Sequence, residues 1–154
     1  MTVDEQPILI CYDGSEDSRR ALAAAGDLLQ HGPAVVLEVT PPLTAEEEEA
    51  ALFMPVIPDN IEQRVRDVRR LAHRGVQLAR AEGLDAEERV DVAAPIWQGV
   101  VDVADEIDAS VIVVGSRGLS GARELFEGSL SHELMSHAGR PLLIIPPNPR
   151  AVEP

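Results

Sequence analysis

The residues in this chain best suited to chemistry lie in one stretch. It runs Gly115-Ser116-Arg117-Gly118-Leu119-Ser120-Gly121, then through residues 122–127 to Gly128-Ser129-Leu130-Ser131. Glycines let backbone N–H groups approach an oxygen-rich ligand with no Cβ in the way. Gly128-Ser129 stands where a helix opens, and a helix N-terminus offers unpaired N–H groups and partial positive charge to an anion. Ser129 and Ser131 add hydroxyls, and Arg117 and Arg123 add positive charge. The chain's 13 basic residues are all arginine, so this phosphate cradle has no lysine. Schiff-base chemistry, a P-loop lysine and a kinase-type lysine are excluded with it. A glycine-rich strand-to-helix loop with a serine N-cap has the same pattern, and spacing alone leaves both readings open.

A second candidate loop is Tyr12-Asp13-Gly14-Ser15, after the first apolar run. The single cysteine, Cys11, sits inside that run and reads as a buried structural thiol. The histidines do not assemble a catalytic set. His31 falls at a helix end, His73 on a long surface helix, and His132 and His137 five apart on one helix, a poor spacing for a shared metal. No nucleophile, base and orienting group come together.

These loops need a scaffold, and the chain is long enough for one. Its 154 residues are 45% apolar and 26% charged, as in an ordinary globular domain. We read residues 1–147 as that domain and 148–154 as a loose tail. The net charge of −14 repels a phosphate backbone, which argues against nucleic-acid partners. No apolar run approaches bilayer length, and the acidic start MTVDEQP does not resemble a signal peptide. A cytoplasmic protein without membrane attachment is expected.

The order of elements is legible. Residues 7–12 form a continuous apolar run ending at Asp13-Gly14, a buried strand followed by a turn. Ser15 caps a helix with Glu16 and Asp17 in its first turn and Ala21, Leu22, Ala25 and Leu28 at helical spacing. Residues 34–39 form a second strand. The proline-rich stretch 40–58, with four consecutive glutamates from Glu46, is either a functional or mobile connection or the start of a short solvated helix. Ile61, Val65, Val68, Ala72, Val76 and Ala79 mark a long helix with an arginine-rich outer face, ended by Gly83. Residues 87–93 alternate like an edge strand. A helix over 96–107, a buried strand over 111–114, a helix stopped by Gly139 and a last strand, Leu142–Ile145, complete a βαβαβαβαβ chain. That pattern predicts a parallel sheet with helices on both faces. Its ligands bind at the carboxyl ends of the strands, where the order reverses.

The spacing Gly115-x2-Gly118-x9-Gly128-Ser129 resembles the nucleotide-binding signature of the universal stress protein family. Asp13-Gly14-Ser15 is similar to that family's opening motif, and the likeness spans nearly the whole chain. The resemblance implies a five-stranded doubly wound α/β sheet of order 3-2-1-4-5, a homodimer and bound ATP. It puts Asp13 beside adenine and ribose, and Tyr12 and Val39 in the wall of the adenine pocket. Gly115 and Gly118 would run close to ribose and phosphates. Gly128, Ser129, Leu130 and Ser131 would hold the phosphates, and Arg117 stands where a basic or imidazole group is common. A magnesium ion would accompany the phosphates near Asp13. The chain departs from the family pattern at Cys11 and Tyr12, usually small or proline. Ala93-Ala94-Pro95 replaces a Gly-x-Pro-type turn, and Ala94 takes a positive φ less cheaply than glycine. Glu38 stands where histidine is frequent.

The favoured reading is an ATP-binding regulatory protein in which nucleotide biases conformation or assembly, with at most slow hydrolysis. One alternative is a homodimeric interaction protein with an empty site, paired through Leu142–Ile145, which is apolar on both faces. A second is an adenylating enzyme, since Asp13-Gly14-Ser15-Glu16-Asp17-Ser18 is similar to the loop of ATP pyrophosphatases, though its first serine and a glycine are absent.

Overall fold

The computed structural model describes residues 6–29, 32–54, 56, 58–116 and 130–147. The elements follow in the order β1 (Ile8–Cys11), α1 (Glu16–Leu29), β2 (Pro33–Thr40), α2 (Ala45–Phe53), α3 (Asp59–Ala81), β3 (Asp85–Val92), α4 (Ile96–Glu106), β4 (Val111–Gly115), α5 (Leu130–His137) and β5 (Leu142–Ile145). The strands form one five-stranded parallel sheet, β3-β2-β1-β4-β5. This is the order that the resemblance implies.

Position in the sheet follows from apolar content. β1, with the sequence ILIC, is buried at every residue and lies at the centre, with Ile8 opposite Ala34 on β2 and Val111 on β4. β3, with the sequence DAEERVDV, is largely exposed, and its alternation of charge and valine suits the edge it occupies. Successive side chains of β1 point to opposite faces, which divides the core in two. Ile8, Ile10 and Tyr12 pack with Ala21, Leu22 and Ala25 of α1 and Val76 and Ala79 of α3. Leu9 and Cys11 pack with Val100, Val103 and Ala104 of α4 and Leu134 of α5.

Helix ends follow local chemistry. The Ser18 amide donates to Ser15 Oγ at 3.1 Å, and the Ser15 amide donates to Asp13 Oδ1 at 2.9 Å, so the turn after β1 and the start of α1 are one unit. Gly83 ends α3 at a φ of +87°, with the Leu84 amide returning to the Ala79 carbonyl at 3.1 Å. Gly139 follows α5 at a φ of +61°.

Residues 40–58 contain a helix rather than an unstructured connection. Thr44 and Glu47 form a reciprocal capping box, the Glu47 amide donating to Thr44 Oγ1 and the Thr44 amide to Glu47 Oε2 at 2.8 Å. Three of the four glutamates that make the stretch solvated, Glu46, Glu47 and Glu48, place negative charge at the positive end of α2. After β3 the chain turns through a cis Ala94–Pro95 bond. Neither Ala93 nor Ala94 is left-handed, so this turn needs no glycine.

Candidate functional site

β1 leads to α1 on one face of the sheet, and β4 leads to α5 on the other. Between the carboxyl ends of β1 and β4 this divergence opens a cleft. Its enclosed volume is small, about 30 Å³, and it opens to solvent. Cys11 and Val114 form its floor, Leu37 and Val39 of β2 one wall, and Ile96 and Val100 of α4 another. Asp13, Ser15 and Ser18 stand at its rim with Gly115, and Leu130 closes it where α5 begins.

Of the expected site residues, the structure brings Asp13, Val39, Gly115 and Leu130 to one cavity. Tyr12 also borders it, but its ring belongs to the opposite core layer, 3% exposed and seated beneath Gly75 of α3. That ring is not free to lie across a base. The strand period sends it under α3 while Cys11 faces the cleft. Ser131 is buried on α5, and its hydroxyl donates to the Ser116 carbonyl at 3.4 Å, tying the helix to the end of β4. Arg117, Gly118, Gly128 and Ser129 lie outside the described residues.

Gly115 is the tightest point of the rim. A Cβ there would stand 3.0 Å from the Asp17 carbonyl carbon and oxygen, so any side chain would press β4 against the backbone of the first turn of α1. Two buried polar atoms flank that approach, Asp17 Oδ2 and Ser116 Oγ, and neither has a hydrogen-bond partner among the described residues. Asp17 Oδ1 pairs with Arg20 on the next turn.

Among the described residues the charge of the cleft is negative. Asp13 and burial together act on two neighbours. Burial first, and then the Asp13 charge, pushes the Cys11 thiol up to about 12. Cys11 is therefore protonated and inert, as its place in an apolar strand predicts. Burial and then Asp13 likewise raise the Glu38 carboxyl from 4.5 to about 7. Glu38 sits on β2, its Oε2 buried without a partner among the described residues.

A carboxyl raised in the folded state stabilises the fold fully below pH 4.5, where both states hold the proton. Between 4.5 and about 7 the unfolded chain releases it first, so that contribution is lost as pH rises. Glu38→Gln is expected to match the parent at pH 4.5 and to exceed it at pH 8 by about 1–2 kcal/mol, allowing for solvent screening. Paired thermal melts at the two pH values check this, and an equal offset at both would refute it.

Ser15 belongs to the candidate loop after β1, whereas Cys11, Ser18, Leu37, Ile96, Val100 and Val114 line the cleft without having been expected there. Two signals point to them. Leu37 precedes Val39 by two on the same strand face, and the first turns of α1 and α4 follow the carboxyl ends of strands.

The sequence model of the universal stress protein family matches residues 5–146. The universal stress protein YxiE of Bacillus subtilis is 30% identical over 144 residues, spanning 90% of this chain and 97% of its own. Among solved structures, a universal stress protein in complex with cAMP is 24% identical, with a TM-score of 0.67 over 92% of this chain and 97% of its own. The universal stress protein of Archaeoglobus fulgidus in complex with dAMP is 25% identical, with a TM-score of 0.63 over 92% of this chain and 98% of its own.

Proposed function

Because the chain belongs to the universal stress protein family, we propose that it is a regulatory protein that binds an adenine nucleotide, ATP with magnesium, in the cleft between β1 and β4. The observation that carries this reading is the cleft itself. Its apolar walls, Leu37, Val39, Ile96 and Val100, lie beside one carboxylate, Asp13, at the topological switch point. Two relatives of the same fold support the ligand class, being complexes with cAMP and dAMP.

The described residues suit the base and the ribose. A purine ring lies flat between aliphatic walls, and the oxygen of Asp13 not engaged by Ser15 accepts from a ribose hydroxyl. No arginine lines the described part of the cleft, so the phosphates fall to the glycine-rich segment. We assign the phosphates there to Arg117, Gly118, Gly128 and Ser129 together with Leu130 and Ser131, residue types whose backbone N–H groups and arginine charge suit an anion. Magnesium would neutralise phosphate charge, with Asp13 the nearest carboxylate. The reading assigns no catalytic residue, and any hydrolysis is slow.

Nucleotide then acts by differential affinity for two states of the protein. We assign the assembly to a twofold pairing of β5, an edge strand whose four apolar residues are all half-exposed. Among the described residues no helix is long and apolar enough to cross a membrane, and a cytoplasmic location accords with the reading.

Calorimetric titration of ATP and magnesium tests it, after the purified protein's nucleotide content is read by mass. Binding of about 1 μM, about −8 kcal/mol, is expected. Gly128→Val should weaken it by a hundredfold or more and leave the oligomer intact. No binding and no co-purified nucleotide would overturn the reading and leave a protein that works through its surfaces.

A further inference from the structure

α2 is a helix with little support. None of its nine residues is buried, and a free helix of that length is marginal in water. Its inner side rests on the body through Glu47, Ala50 and Ala51, which are half-buried. Its outer side carries Glu48 and Glu49 and, one turn later, Leu52 and Phe53, which are 79% and 80% exposed. Met54 and Val56 extend the exposed apolar surface past the helix end.

The same molecule carries a groove of complementary character. It runs between α3 and the edge strand β3, with Val65, Val68, Val90 and Val92 as its apolar floor. Arg64, Arg69, His73 and Arg89 line it against a single carboxylate, Glu88. Arg69 makes no ion pair among the described residues, and neither do Glu48 and Glu49. An acidic, apolar helix face and a basic, apolar groove therefore both stand uncovered on one chain.

The helix is held away from its own groove. Arg64 donates to the Pro41 carbonyl and reaches Glu47 Oε2 at 3.5 Å, which pins the first turn of α2 at the groove mouth. With that anchor in place the outer face turns away from the body. We propose that the occupant is a second copy of this chain. The Leu52–Phe53 end of α2 from each copy lies in the α3–β3 groove of the other, with Glu48 and Glu49 meeting Arg69. A twofold exchange of this kind buries both surfaces twice and covers the β3 edge. It is separate from the nucleotide cleft and from β5.

Two chains that each gain one cysteine, Phe53→Cys and Val92→Cys, test it directly. Native Cys11 is buried and stays in place. Mixed under mild oxidation, the two chains are expected to form a mixed disulfide at least tenfold faster than Phe53→Cys with Leu28→Cys, an exposed control on α1. In sedimentation equilibrium, Phe53→Glu should halve the mass seen for the parent at equal concentration, since β5 is untouched. A rate no faster than the control overturns the proposal, as does an unchanged mass. So does a Phe53→Cys, Val92→Cys double variant that closes only within one chain, which would make α2 a strap on its own groove.

Discussion

Gly115→Val is expected to weaken ATP binding by about a hundredfold or more, about 2.7 kcal/mol. The reason is steric and local. The glycine's hydrogen faces the backbone of Asp17, and even a bare Cβ would sit 3.0 Å from its carbonyl oxygen. A valine forces the end of β4 away from the first turn of α1. Those two segments carry Gly115 on one side of the cleft and Ser15 and Ser18 on the other, so the rim opens where ribose and phosphates are proposed to lie. A misplacement of that kind costs affinity because the remaining contacts no longer converge. Calorimetry on the variant, with a thermal melt to establish that it is folded, reads the effect. Gly32→Ala is the matched control, since a Cβ there meets nothing within 4 Å. A Gly115→Val protein that binds ATP like the parent would remove this rim from the site.

The second large effect is on stability, at Gly75 on α3. Its missing side chain admits the Tyr12 ring, whose Cδ1 would lie 2.6 Å from an added Cβ, and Val36 Cγ1, which would lie 2.9 Å away. The ring is 3% exposed in the layer beneath α1 and α3 and has no room to retreat. Gly75→Val therefore costs about 3 kcal/mol by overpacking. For a chain of this size that lowers Tm by about 6–12 °C. Tyr12→Ala alone is also destabilising, by about 3–5 kcal/mol, because it leaves a cavity. Combined, the two changes should cost less than their sum by at least about 1 kcal/mol, since each relieves the other. Strict additivity would mean that the ring does not set the approach of α3 to the sheet.

Both predictions rest on pairs of residues far apart in sequence. The strand and helix order was legible because each element states its own burial. ILIC, with no polar residue, suits only the sheet centre, while DAEERVDV suits only an edge. Asp13-Gly14-Ser15 announced a turn and a cap, and the hydrogen bonds to Ser15 and Ser18 follow from it. The glycine spacing after β4 supported the resemblance, and the family match over residues 5–146 agrees with it. α2 was left open as either connection or helix, because its capping box competes with flanking prolines and it buries nothing that would betray a period.

The sequence by itself therefore determined the fold class, the strand order through a resemblance, and the loop ends where a ligand would be sought. Those properties are local, written in periodicity, caps and glycines within a few residues of each other. Tertiary structure alone decided which neighbour each side chain meets. Tyr12 ends a strand beside the cleft, yet its ring is spent beneath Gly75. Glu38 looked like an unexplained substitution, and burial together with the Asp13 charge turns it into a carboxyl that titrates near 7. The face a side chain takes, and the dielectric and charges it meets there, depend on contacts between elements tens of residues apart. No spacing in the chain encodes them directly.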